Sequence, residues 1–169
     1  MKFTTGRLEV ELSSAGRESR VELTGQLDER AELARVAERI EGNVTFDLAQ
    51  VSFINSIGVR EWVRLLRALH DKNVRVTLRR CSEAMVHQMN MIVETVAHSR
   101  VESFFVPYMC DVCGAEASMC LEVEPNLSAL RGMQAPAQKC PECGGKMTFS
   151  EIPARYLLFV AQGAGREGV

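Results

Sequence analysis

The sequence predicts an α/β protein in which a mixed β-sheet has helices packed against it, followed by a small cysteine-based unit. Strand-like and helix-like patterns alternate through the first part of the chain, which implies crossover connections and a partly parallel sheet. One of these patterns passes from an apolar strand through a polar turn to an amphipathic helix over residues 45–73. Two Cys-x-x-Cys pairs follow nearer the C-terminus.

The N-terminal elements follow from alternation and capping. Apolar residues alternate with glutamates over 8–12, and small residues end this strand at 13–16. A second strand is predicted over 20–24, so the two form a hairpin. Asp28 is predicted to cap a helix that stops at Gly42. The apolar residues on the inner face of this helix are Leu33, Val36, Ala37 and Ile40.

The clearest local pattern is a strand, a turn and a helix. Apolar and β-forming residues over 45–54 predict a buried strand. Asn55 and Ser56 follow, and their side-chain oxygens can accept from the unpaired amides of a helix start. Gly58 lets the backbone pack closely, and Asn73 can end the helix in a left-handed conformation. The free N–H groups of such a helix start can hold an anion or an acceptor group of a partner.

Three further elements are predicted before the cysteine pairs. A strand over 74–78 leads to a helix that Ser82 caps. The apolar residues on its inner face are Met85, Val86 and Met89. Residues 91–100 are ambiguous and are interpreted as a turn and a short helical piece. A final strand is predicted over 101–108.

Two stretches resemble a known family. The stretch 47–58, Asp-Leu-Ala-Gln-Val-Ser-Phe-Ile-Asn-Ser-Ile-Gly, is similar to the signature of STAS domains, the bacterial anti-sigma factor antagonists. Their signature typically contains Asp-Leu-x-x-Val-x-Phe-Ile-Asp-Ser-Ser-Gly. The stretch 23–28, Leu-Thr-Gly-Gln-Leu-Asp, is similar to the Leu-x-Gly-x-Leu-Asp before the family's first helix. The resemblance covers roughly residues 8–107 and implies a STAS-like sheet.

The resemblance also implies a partner and a switch. Antagonists of this type bind an anti-sigma factor that is a kinase-like ATPase, and phosphorylation of a signature serine releases it. Asn55 stands at the family's Asp, Ser56 at its first Ser, and Ile57 at the position usually phosphorylated. Isoleucine cannot carry phosphate, so the usual switch is not implied for this chain. The predicted partner-binding residues are Asn55, Ser56, Ile57, Gly58 and Arg60.

Ser56 has three interpretations. As a helix cap it would contribute roughly 1 kcal/mol. As a displaced phosphoacceptor it would place about two negative charges beside a partner surface. As a catalytic nucleophile it lacks a matched base in the sequence. Without phosphorylation the turn can still dock a protein, with Ile57 as an apolar contact.

Composition limits the classes of function. A net charge of −2 and a pI near 6.0 give no electrostatic reason to expect nucleic acid as a partner. The N-terminus has no apolar signal region, and no apolar run is long enough to span a bilayer. Six cysteines in such a chain indicate metal or thiol chemistry before disulfides. The expected compartment is the cytoplasm, with no membrane association.

The cysteine pairs predict a closed zinc site. The four predicted ligands are Cys110, Cys113, Cys140 and Cys143. Gly114 and Gly144 follow the pairs and allow backbone amides to point at sulfur. The whole of residues 108–160 resembles a zinc ribbon, in which four thiolates hold a structural Zn²⁺. The competing interpretations are a redox dithiol and unrelated buried cysteines.

The remaining thiols and imidazoles are given structural interpretations. Cys81 lies before a helix start, where a thiol pKa can fall, but a buried apolar role is preferred. Cys120 is interpreted as a packed residue rather than a spare ligand. The histidines on predicted helices, interpreted as surface or core-edge residues, are His70, His87 and His98. Acidic residues outnumber basic ones between the cysteine pairs, which argues against a phosphate-binding surface.

The sequence therefore predicts a STAS-like domain over 1–107, a zinc-ribbon-like segment over 108–160 and a flexible tail over 161–169. The preferred function is a non-enzymatic protein-interaction module that docks a partner through the 55–60 turn and the following helix. One alternative is a transcription-associated zinc protein that contacts nucleic acid or RNA polymerase. Another is a homo-oligomer that associates through a strand edge or the ribbon.

Overall fold

The computed structural model describes residues 1–163, which form a six-stranded and a four-stranded β-sheet with helices. The first sheet contains β1 Lys2–Thr5, β2 Leu8–Ala15, β3 Glu18–Leu27, β4 Asn43–Ile54, β5 Val76–Arg79 and β6 Ser99–Val101. The second contains β7 Ser103–Cys110, β8 Glu116–Glu122, β9 Gln138–Lys139 and β10 Lys146–Phe149. The helices are α1 Ala34–Ala37, α2 Ser56–Asp71, α3 Glu83–Met91, α4 Val123–Arg131, α5 Pro153–Tyr156 and α6 Leu158–Ala161, with a 3-10 helix at Val93–Thr95. None of the described helices combines the length and the apolar composition needed to cross a bilayer.

The first sheet is mixed, which confirms the predicted α/β class. Its strands lie in chain order, antiparallel from β1 to β3 and parallel from β3 to β6. The turn between β2 and β3 uses Gly16, whose φ of 62° lies in the left-handed region that glycine tolerates best. Parallel neighbours need longer crossovers, and α1, α2 and α3 occupy the three connections.

We refer to the first sheet and the helices that connect its strands as the first unit. Its core lies between β4 and α2. The buried apolar residues of α2 recur at helical spacing and are Val59, Trp62, Leu65, Leu66 and Leu69. Trp62 is fully buried, and its ring meets that of Phe46 edge-on with the centroids 5.3 Å apart. Its indole N–H donates to Thr95 O at 2.9 Å, so the polar end of the ring is also satisfied.

The helix predicted to begin at Asp28 is wrong in its extent, because only the single turn α1 forms. Asp28 caps a tight turn instead, where its Oδ1 accepts from Arg30 N–H at 2.9 Å. Thr5 Oγ1 accepts from Glu32 N–H at 2.8 Å, so β1 takes a backbone group that a longer helix would need. The strand β1 was not predicted from the sequence. The four apolar residues predicted to face inward are nevertheless buried.

The strand predicted over 101–108 is divided between the two sheets. β6 closes the first sheet, and β7 begins two residues later as an inner strand of the second, whose order is β8-β7-β10-β9. The sheets stay joined through a parallel bridge between Cys81 and Phe104. The predicted domain division after residue 107 therefore falls inside β7.

A seam of side chains packs α5 and α6 against α3. The Asn90 amide donates to Tyr156 O at 2.8 Å and accepts from Phe159 N–H at 2.9 Å. The Phe159 ring also meets Phe104 edge-on, with the centroids 5.1 Å apart. The predicted tail, 161–169, begins inside α6, since Ala161 is its last residue. Residues 164–169 lie outside the described residues.

One buried charge lies in β4. Asp47 is 1% exposed, and its two carboxylate oxygens accept from Arg80 Nε at 3.0 and 2.8 Å. Arg20 approaches the same carboxylate at 3.3 Å. The hydrogen bond that Arg80 donates to Asp47 raises the pKa of Arg80, so the guanidinium stays charged. The two arginines thereby supply the hydrogen bonds that a buried carboxylate requires.

Candidate functional site

The start of α2 is fixed by Asn55. Its side-chain oxygen accepts from Gly58 N–H at 2.8 Å, which makes Asn55 the helix cap. Its side-chain N–H group donates to Glu29 Oε2 at 2.9 Å, and its backbone N–H donates to Leu27 O at 3.1 Å. A backbone hydrogen bond and the Asn55 amide lower the pKa of Glu29. An aspartate at residue 55 could cap the helix but could not donate a hydrogen bond to Glu29. This difference explains physically why an asparagine suits residue 55.

Ser56 is not the cap of this helix, so the first interpretation of that residue is wrong. It is the first residue of α2 and is exposed, with Asn55 in the capping position before it. Asn55 takes this role because its extended backbone, φ −100° and ψ 177°, directs the side chain back over the first turn. The Ser56 hydroxyl therefore faces solvent.

At Gly58 the backbone of the turn packs closely against the end of β3. A Cβ atom added there would overlap Leu27 O and lie 2.6 Å from Leu27 C. The predicted close approach of the backbone at this glycine is therefore present, and its partner is the strand end that also binds Asn55. The helix start cannot move away from β3 without losing both contacts.

Two apolar side chains project from this fixed backbone. Phe53 is 48% exposed and Ile57 is 38% exposed. Arg60 is also exposed, with its Nε 3.6 Å from Glu61 Oε1. We refer to residues 53–60 as the docking turn. It contains all the predicted partner-binding residues and brings them together at the end of one strand and the start of one helix.

The exposure of Phe53 was not predicted from the sequence, because the apolar run over 45–54 predicts uniform burial. The pairing of β3 with β4 is irregular here: Gly25 lies opposite Val51, and Gln26 lies opposite Phe53. An extra residue in β4 turns Phe53 outward while Val51 stays buried. The sequence signal for this irregularity was Gly25, since a glycine within a strand often marks a bulge. In the structure Gly25 has a φ of 113°.

The second candidate site is a cluster of cysteines. The cysteines whose sulfur atoms all lie within 4.8 Å of one another are Cys110, Cys113, Cys140 and Cys143. The Sγ atoms of Cys110 and Cys143 are 3.6 Å apart, and those of Cys113 and Cys140 are 3.7 Å apart. A tetrahedral zinc ion with Zn–S bonds of about 2.3 Å places its sulfur ligands about 3.8 Å apart. The four cysteines can therefore hold a metal ion.

Two matching turns present these thiols. The N–H groups of Gly114 and Gly144 donate to the carbonyls of Cys110 and Cys140, at 3.1 and 2.9 Å. The two glycines have φ values of 73° and 71°, where a side chain would be strained. Val112 N–H lies 3.4 Å from Cys110 Sγ. In the second turn, Gly145 N–H lies 3.3 Å from Sγ of Cys143, the second cysteine of its pair. The amides thus point at sulfur as the sequence predicted.

The thiols differ in acidity. Hydrogen bonds from the backbone of Cys113 and Val112 lower the pKa of Cys110 to about 6. The Ala115 N–H acts in the same direction on Cys113, but the neighbouring Cys143 and Cys110 raise the pKa of Cys113 to about 12. The first thiolate therefore forms readily, and its charge opposes the next. A divalent cation would remove that repulsion.

The other cysteines lie outside the cluster. Cys81 is fully buried, as preferred, and burial raises the pKa of its thiol. Cys120 was expected to be packed, but it is exposed on β8 because its side chain points away from the inner row of that strand.

The histidines have the exposed or edge positions expected of them, but His98 is not helical. It has φ 60° and lies in the turn after the 3-10 helix. Its ring stacks on His70 with the centroids 3.7 Å apart, a pairing that sequence spacing could not predict. His87 lies on α3 and meets the Tyr156 ring edge-on.

In comparisons with known proteins, no family model and no curated protein matches this chain.

Proposed function

We propose that this chain is a non-enzymatic protein-interaction module, in which a STAS-like domain binds a protein partner through the docking turn and the start of α2. A regulatory role similar to that of anti-sigma factor antagonists, with a kinase-like ATPase as partner, accounts best for the signature at 47–58. The observation that carries the proposal is the exposure of Phe53 and Ile57 on a fixed backbone.

Rigidity supports this proposal. Exposed apolar side chains contribute most to binding when little conformational freedom is lost on association. The docking turn is held by the Asn55 cap, by the Glu29 contact and by the packing of Gly58 on Leu27. Aromatic and aliphatic anchors surrounded by polar groups are typical of interaction hot spots. Arg60 and Glu29 supply such polar groups beside the two apolar residues.

Ile57 has a specific role in this proposal. It occupies the position before Gly58 where the resembling family carries its phosphorylated serine. An apolar side chain there adds buried contact area and cannot be switched by a kinase. We therefore propose constitutive docking, with Ser56, exposed beside it, as the one hydroxyl of the docking turn that a kinase could modify.

For the cysteine cluster we propose a structural zinc site. Four thiolates form a soft, tetrahedral ligand set of the kind that zinc prefers, and they leave no position for a catalytic water. The cluster joins the turn between β7 and β8 to the turn between β9 and β10, at the end of the second sheet where all four strands are paired. Zinc would supply folding free energy to this unit and take no part in a reaction.

The test compares two variants of the full chain as bait in lysate of its source, with zinc present. Ile57→Glu places a charge in the docking turn, whereas Ile152→Glu places the same charge on a 54% exposed isoleucine at the start of α5. We expect Ile57→Glu to lose a partner that the wild type and Ile152→Glu retain, by at least tenfold in recovered amount. The lost partner is then purified and its affinity for each variant is measured by calorimetry.

The proposal fails if every co-purifying protein binds Ile57→Glu as well as the wild type. If the partner lost with Ile57→Glu is a kinase-like ATPase or an anti-sigma factor, the regulatory role is supported. If it is RNA polymerase, the docking turn stands but the antagonist role is overturned.

A further inference from the structure

The second sheet ends in an unusually open edge strand. β8 has seven residues, Glu116–Glu122, and among residues 1–163 it pairs on one side only, with β7. The other sheet edges among residues 1–163 are shorter, with four residues in β1, three in β6 and two in β9. Short edges resist pairing with other chains, whereas a long edge offers a row of unpaired backbone groups.

The hydrogen bonds of β7 show which groups of β8 face outward. Phe105 N–H donates to Cys81 O, and Pro107 O accepts from Ser150 N–H, so both residues direct their backbone groups away from β8. Their partners in the register are Cys120 and Ser118. In an antiparallel pair, residues opposite such positions direct their own N–H and C=O groups to the far side. The free edge of β8 therefore presents the backbone groups of Ser118 and Cys120.

Apart from a glutamate at each end, Glu116 and Glu122, this edge lacks the features that usually protect one. Its sequence, Glu-Ala-Ser-Met-Cys-Leu-Glu, contains no lysine, proline or glycine. Its register with β7 runs without a bulge from Ser103↔Glu122 to Met109↔Glu116. Natural edge strands are commonly blocked by one of these means, so an unblocked strand indicates an edge that is used.

Side chains beside the edge define what could pair there. Ala117 and Met119 lie on the inner row of β8 and are only half-buried, so an added strand with apolar residues opposite them would extend the core. The outer row begins and ends with glutamates, Glu116 and Glu122. Glu83 of α3 is hydrogen-bonded to the Ser118 hydroxyl and adds a third carboxylate. The charges of Arg79 and Arg80 also reach Cys120, and Asp47 engages Arg80.

We propose that the β8 edge binds an extended segment of a protein partner by β-strand addition, and that this segment carries basic residues opposite Glu116 and Glu122. Between its two basic residues, the partner segment has apolar side chains on the same face of the sheet as Ala117 and Met119. Backbone hydrogen bonds to Ser118 and Cys120 supply affinity, and the glutamates select the sequence. This surface lies on the second sheet and is separate from the docking turn.

A second copy of this chain fits the edge less well. Antiparallel pairing of two β8 strands about Met119 would place Glu116 opposite Glu122 at both ends. Like charges directly opposite each other destabilise a strand pair. A segment with lysine or arginine at those two positions replaces both repulsions with attractions.

The probe is a capped seven-residue peptide with lysine at both ends and valine alternating with threonine between them. Its sequence is the same in either direction, so strand polarity does not matter. The matched control peptide has glutamate at both ends. We expect the lysine peptide to bind the zinc-loaded full chain about tenfold more tightly at low salt, since two cross-strand charge pairs change sign. Raising the salt concentration should reduce the difference in affinity between the two peptides.

Two variants test the geometry. Cys120→Pro removes an outward N–H, which edge strands tolerate, and should abolish binding, whereas Cys120→Ser keeps the N–H and should bind as the wild type does. Glu116→Lys combined with Glu122→Lys should reverse the preference between the two peptides. Circular dichroism checks that each variant is folded. Equal affinity for both peptides, binding that survives Cys120→Pro in a folded protein, or a dimer of the free chain in light scattering that the peptide cannot dissociate would overturn the proposal.

Discussion

Gly58 provides the sharpest test of the docking turn. Replacing a helical glycine with alanine ordinarily stabilises a helix by about 1 kcal/mol. At this position the added Cβ would overlap Leu27 O and lie 2.6 Å from Leu27 C, both of which are backbone atoms that cannot rotate away. Overpacking of this kind costs about 3 kcal/mol, the upper part of the usual range. We therefore expect Gly58→Ala to lower the free energy of unfolding by about 2 kcal/mol.

Gly132 offers a matched control at the end of α4. A Cβ there would lie 3.3 Å from Ala129 O and 3.6 Å from Ser128 O, which a small adjustment accommodates. Its φ of −78° also suits alanine, so Gly132→Ala should be neutral or stabilising by up to about 1 kcal/mol. Urea unfolding followed by circular dichroism, with zinc held constant, measures both. If Gly58→Ala is as stable as Gly132→Ala, the close packing of the helix start on β3 is refuted.

Three further predictions concern metal content, the buried charge and thiol reactivity. Elemental analysis should find one bound metal ion per chain in the wild type and in Cys120→Ser, but none in Cys140→Ser, because Cys140 lies in the cluster and Cys120 does not. Asp47→Asn should lower the free energy of unfolding by about 2 kcal/mol in urea, since Arg80 loses its charged partner while staying partly solvated. In the zinc-loaded protein, maleimide should modify Cys120 and leave Cys81 untouched in a mass spectrum, because Cys120 is exposed and Cys81 is fully buried.

Local patterns predicted most of the elements of the first sheet. Alternation over 8–12 and the caps at Ser82 and Asn73 depend on residues close in sequence, and the structure contains each of them. The helix at Asp28 failed because Thr5, far away in the chain, binds a backbone group that the helix would use. Short-range propensity cannot report such competition.

The two candidate sites also differed in how far local sequence could predict them. The cysteine cluster was predictable because each Cys-x-x-Cys pair forms a local turn with its own glycine, and only the meeting of the two turns is tertiary. Phe53 was not predictable, because its exposure depends on a bulge in the pairing of β4 with β3. The free edge of β8 also required the sheet order, since no residue of that strand reports which neighbour it lacks.

The contacts of the two candidate sites predict that the proposed metal binding and the proposed partner docking are separable. Every contact that fixes the docking turn, from Leu27, Glu29 and Asn55, lies within the first unit. The cysteine cluster joins strands of the second sheet, and that sheet reaches the first unit through the Cys81 bridge and the Asn90 seam. Loss of the metal would remove folding free energy from the second sheet and weaken the seam on α3. Because α3 does not contribute to the docking turn, the β8 edge should lose its binding before the docking turn does.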